Sequence, residues 1–208
     1  MGLFNKRSKR AIAIEDHVDL QDMNYLDKDE FGLINYFKGF NILKNGGKQS
    51  LRNLTVSPGD PIDGQHGFFD YRYVIYTGNA TIVVDQTVFF IIDKKVMIPN
   101  FYLYPEYWHH KISKWFGSQD INFEKYPNFS KSYMLKSEDE DFTRILFDDE
   151  ELIEFFNDHQ GWSFEATGYY LIIYRPSKLQ KTEEIKEMID SGLRLNEILR
   201  RRSKSLYD

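Results

Sequence analysis

Between Gly67 and Asp93 the chain alternates with a period of two, and no other stretch constrains the fold as much. In "GFFDYRYVIYTG", Phe69, Tyr71, Tyr73 and Ile75 fall on one side of an extended chain, with Asp70, Arg72 and Val74 on the other. Successive side chains of a strand point to opposite faces, so this pattern predicts a strand. "TGNA" at 77–80 supplies a turn, and "TIVVDQTVFFIID" at 81–93 supplies a second, longer strand. The two are expected to pair as an antiparallel hairpin.

The same reading extends outward. Short strands are expected at Phe40–Leu43 and Asn53–Val56, around the loop chemistry of "NGGKQSLRNLTVSPGDPIDGQHG". "MIPNFYLYP" (97–105) and "SKSYML" (130–135) predict two more strands, and "GWSFEATGYYLIIYRP" (161–176) predicts a hairpin around Thr167-Gly168. Pro105 suits the first turn of a helix over "PEYWHHKISKWF", with Trp108, Ile112 and Trp115 on one face. "SEDE" at 137–140 reads as a capping box before "DFTRILF", and Asp148 or Asp149 starts a helix burying Leu152, Ile153, Phe155 and Phe156. Thr182 caps a last helix with an apolar stripe from Ile185 to Leu199, and Gly192 inside it signals a kink or close packing. Strands in hairpins with helices between them predict an α+β domain, a largely antiparallel sheet with helices packed on one face. The organisation expected is a polar leader over 1–30, the α+β domain over 31–180, and a C-terminal helix with a basic tail over 181–208.

Charge is uneven. The net charge is -5, with +4 on residues 1–10 and +3 on residues 194–208, which leaves -12 on 11–193. An anionic body repels phosphate, so no nucleic-acid partner is expected. The basic ends read as solvated tails, or else as weak contacts to an anionic membrane surface. Cysteine is absent, which excludes disulfides and thiolate chemistry and suits the cytoplasm. The N-terminus lacks a signal-peptide apolar stretch, Lys6 breaks a myristoylation motif, and "VFFII" is far too short to cross a bilayer.

Several chemistries read weakly. Glu106 and His110 are four apart on a helix and are the candidate metal pair, without a third ligand. No cofactor is expected: "NGGKQS" lacks the first glycine of a phosphate loop, and neither G-x-S-x-G nor G-x-G-x-x-G occurs. The acid clusters "SEDEDF" and "DDEE" read as helix starts. Asp70, Tyr71, Arg72 and Tyr73 remain the candidate binding residues. Asp70 and Arg72 share a sheet face and can pair, so the plainer reading is a half-buried strand.

Taken in series, "FDYRY", "QTVFFI", "FYLYPE", "GSQDINFEKYPNFSKSYML", "EDEDFTRILF" and "GWSFEATGYYLIIYR" resemble a bacterial protein family of unknown function. The resemblance spans residues 39–180. It implies a member of a group often found behind membrane-spanning helices, and brings no catalytic residue with it. The function expected is a non-enzymatic module that binds a protein or itself. The alternative is a peripheral membrane protein held by its basic ends. A weaker alternative is a hydrolase using Glu106, His110 or Asp70.

Overall fold

The computed structural model describes residues 8–18, 23–26, 29, 32–44, 46–59, 64–108 and 120–207. Eight strands form one sheet: β1 (Asn24–Leu26), β2 (Gly47–Val56), β3 (Gln65–Thr77), β4 (Ala80–Ile92), β5 (Ile98–Pro105), β6 (Tyr133–Ser137), β7 (Ser163–Gly168) and β8 (Tyr170–Tyr174). Their order is β1-β2-β3-β4-β8-β7-β5-β6, and every neighbouring pair is antiparallel. The expected α+β class is therefore the observed one. The central hairpin follows its alternation without a register shift, from Gln65↔Ile92 to Thr77↔Ala80. Gly78 and Asn79 make the two-residue turn that such a hairpin favours.

Among the described residues the helices are α1 (Lys9–Val18), α2 (Leu33–Tyr36), α3 (Asn41–Lys44), α4 (Pro127–Ser132), α5 (Glu140–Phe147), α6 (Glu150–Asp158) and α7 (Thr182–Tyr207). The five longer ones share one face of the sheet. Ile14, Phe129, Phe147, Phe156 and Leu195 from these helices pack there with Phe68, Phe89, Phe101 and Phe164. The opposite side chains of the same strands make a second apolar face. Phe69, Tyr71, Tyr73 and Phe90 lie under Leu33, Ile42 and Leu43 of the single-turn helices α2 and α3. Alternation thus builds two cores, one on each side of the sheet.

One expected strand is helical instead, and so is the start of another. Residues 41–44 form α3 rather than continuing an extended segment from Phe40, because a buried carboxylate across the sheet receives their first N–H groups, as detailed below. Residues 127–132 form α4, with Pro127 in its first turn, and the strand starts only at Tyr133. Of the helix expected from Pro105, the described part is a 3-10 turn over Glu106–Trp108, and the remainder, with Ile112 and Trp115, lies outside the described residues. Asp139 rather than Ser137 caps α5, its side chain accepting from Phe142 N, while Asp149 caps α6 through Leu152 N. Residues 9–18, within the expected leader, form α1, and β1 forms an edge of the sheet.

Gly192 is where α7 rests on the sheet. A Cβ there would lie 2.0 Å from Cε1 of Phe89, which is itself fully buried. Alanine gains about 1 kcal/mol of helix propensity over glycine, but overpacking a rigid core costs typically 1–3 kcal/mol. Chemical denaturation of Gly192→Ala should show a lower midpoint, against the sign that helix propensity alone gives.

Candidate functional site

The strand β3 divides the four candidate binding residues between two faces. Asp70 and Arg72 lie on the side of the long helices, and Tyr71 and Tyr73 lie beneath α2 and α3. They do not converge on one ligand. Tyr71 and Tyr73 stack with ring centroids 5.6 Å apart, and burial pushes both phenols above their ordinary range. Among the described residues the Tyr71 hydroxyl has no hydrogen-bond partner.

Asp70 and Arg72 share a face as expected, but they do not pair with each other. Asp70 is 1% exposed, and its carboxylate is held in a fork by Arg10 of α1, with Nε to Oδ2 at 2.6 Å and Nη2 to Oδ1 at 2.8 Å. Asn53 Nδ2 donates to Oδ2 at 2.6 Å, and the Thr87 hydroxyl donates to Oδ1 at 2.9 Å. Arg10 also donates to the Gln180 carbonyl at 2.8 Å, just before α7. Arg72 turns to Asp85, its direct neighbour on β4, through two bonds of 2.7 Å, and Arg52 reaches the same carboxylate. Residues directly opposite on paired strands stand closer than residues two apart along one strand, which decides the choice. The Arg72 bonds hold Asp85 below the usual carboxylate range.

A more deeply buried acid escaped the sequence reading. Glu165 on β7 is fully buried and accepts from Asn41 N at 2.6 Å, Ile42 N at 3.2 Å, Tyr104 Oη at 3.0 Å and Tyr174 Oη at 2.7 Å. Burial outweighs these four donors and lifts its pKa above the ordinary range. The signal available was one acid inside the apolar run "GWSFEATGYYLIIYR". Asp93, at the end of β4, is the third buried carboxylate. Burial pushes it up, but donors from Asn196, the Lys95 amide and Arg200 outweigh that and hold it below its usual range.

The remaining candidates separate. Glu106 sits in the 3-10 turn, and His110 lies outside the described residues. Among the described residues no group of three or more His, Asp or Glu is placed to hold a metal ion. The basic C-terminal segment is not a solvated tail: Arg200 bonds Asp93, Arg201 bonds both oxygens of Glu151, and Arg202 donates to the Ile145 carbonyl. Among the described residues no helix is long and apolar enough to cross a membrane. A cleft of about 430 Å³ opens beside α1 and β1, lined by Glu15, Met23, Tyr25, Ser57 and Gln65 among others, and Asp70 is not part of it.

The far end of the central hairpin is different in kind. β8 pairs with β4 only over Val88–Ile92, so the hairpin projects beyond it. There Ile75, Tyr76, Ile82 and Val83 are 37%, 58%, 47% and 53% exposed. The cross-strand pair Ile75 and Ile82 faces one side, and Tyr76 and Val83 face the other.

No family model and no curated protein matches the chain. A solved structure does: the mycobacterial trehalose monomycolate transport factor A, TtfA, with a TM-score of 0.57 at 12% identity, over 94% of this chain and 95% of that one. The likeness is one of fold. It extends over nearly the full length of both chains.

Proposed function

We propose that the chain is a non-enzymatic accessory module that docks a protein through the projecting end of the β3–β4 hairpin. The observation carrying this reading is the cluster of four exposed apolar side chains on both faces of one hairpin end. Contiguous apolar surface, rich in aromatic and aliphatic groups, is a mark of interaction sites. The buried carboxylates support it from the other side, because Asp70, Glu165 and Asp93 are each engaged by internal donors that fix the fold. A similar fold in a protein titled a transport factor suits an accessory role. The motif series makes membership of the bacterial family it resembles part of the same proposal, with the cysteine-free chain working in the cytoplasm.

A photo-crosslinking amino acid placed at Tyr76 or Val83, in cells that make the protein, tests this. Discrete adducts should form from both positions and not from Lys186 on the exposed side of α7. No adduct from the hairpin, or the same adducts from Lys186, overturns the reading.

A further inference from the structure

β4 has an open edge whose limits the structure sets. Thr87 sends its N–H away from β3, to the Lys178 carbonyl at 3.1 Å, and Asp93 sends its own to Tyr169 at 2.9 Å. Backbone groups alternate along a strand, so Asp85, Val83 and Thr81 also direct theirs away from β3. β8 reaches only to Val88, so among the described residues these three face no strand. The open edge is thus Thr81–Asp85, bounded by the Lys178 carbonyl on one side and the Gly78-Asn79 turn on the other. Natural edges are blunted by charge, proline or a bulge. Here the edge carries no proline, its one charge, Asp85, is paired within the chain by Arg52 and Arg72, and its ladder with β3 runs without a register shift.

We infer that a second copy of this chain adds to that edge, β4 against β4, antiparallel about Val83. The inference rests on the hairpin being the docking surface, and it names the occupant. Three features select a copy. The open groups lie at odd positions, and a two-fold axis at Val83 matches them all: Val83 with Val83, and Thr81 with Asp85 of the other copy. The exposed Ile82 then falls against Val84 of the other copy twice, on one face. Charge selects the register, because centring on Asp85 sets two carboxylates opposite each other, whereas centring on Val83 sets each opposite a threonine hydroxyl. An isologous interface of this kind closes on itself and leaves no open part of this β4 edge to recruit a third copy.

Sedimentation of the purified chain over about a hundredfold range of concentration reads this, since mass action sets the dimer population. A monomer–dimer equilibrium is expected, with hydrogen exchange slowing at Thr81, Val83 and Asp85 as concentration rises. Val83→Pro removes one outward N–H and none that bonds β3, and should weaken association at least about tenfold. Val83→Thr keeps the ladder and should retain the dimer. A wild-type monomer at every concentration, or a dimer protected elsewhere, overturns the inference. If hairpin crosslinks to another protein persist in that case, the docking surface stands and only its occupant changes. No dimer and no crosslink removes both.

Discussion

Glu165→Ala should lower the unfolding free energy by about 3–5 kcal/mol, the cost of taking the shared acceptor away from several buried donors. The substitution leaves two backbone N–H groups and two tyrosine hydroxyls facing a void. Each buried donor without a partner costs about 1–3 kcal/mol. A domain of this kind has about 5–15 kcal/mol to lose, so the variant should be poorly stable. Amide exchange should show Asn41 and Ile42 released first. Glu165→Gln keeps one acceptor oxygen and should lose less. The pH dependence separates the two effects. Burial raises the folded-state pKa of Glu165 above its unfolded value, so the folded protein holds that proton more tightly. The stability this contributes is full below the unfolded pKa and is lost as pH rises through the folded one. Glu165→Gln should remove that slope in denaturation measured across the acid range. An unchanged slope assigns it elsewhere.

Asp70→Ala should cost about 3 kcal/mol, at the lower end of the range for a broken buried pair, because the Arg10 side chain is 25% exposed and can recover water. The loss should be local in its first effects. Arg10 joins α1 to the sheet and to the Gln180 carbonyl, so α1 should become open to proteolysis near Ala11 and Ile14 before the sheet unfolds. Asp85→Ala is the matched comparison. Its partners Arg52 and Arg72 are 44% and 42% exposed, and solvent already screens them, so a much smaller loss is expected. Equal losses in urea titrations of the two variants would contradict the assignment of Asp70 as the structural anchor.

The sheet was legible because alternation is a local property. Phe68 to Ile75 encodes its own two faces, and "TGNA" encodes the turn. What lay out of reach was the choice of partner. Asp70 is two residues from Arg72, yet its guanidinium comes from a helix sixty positions away. Sequence spacing favours the near pair, and the register of β4 against β3 decides otherwise. The same holds for α3 and α4. Phe40–Leu43 is apolar enough for a strand and Ser130–Leu135 is one only from Tyr133, and short apolar runs carry no period that separates the two states. A carboxylate on β7 and a proline at the right phase settle them. Within the candidate site, the position of Asp70 and Arg72 on one face was readable. That Tyr71 and Tyr73 belong to the opposite core was implied by the same parity, since a covered sheet has two interiors. The projecting hairpin end was hidden by composition: Ile75, Tyr76, Ile82 and Val83 look like core residues until the length of β8 is known.

The strand order joins two runs, β1 to β4 and β5 to β8, along the single line where β4 meets β8. Chain synthesis makes the first run complete while its closing neighbour, some eighty residues downstream, is still inside or behind the ribosome. Throughout that interval "VFFII" at 88–92 stands as a bare apolar border. The nascent protein is therefore most vulnerable to misassembly after its first half has been made, and a chaperone covering that border until Tyr170 emerges would protect it best.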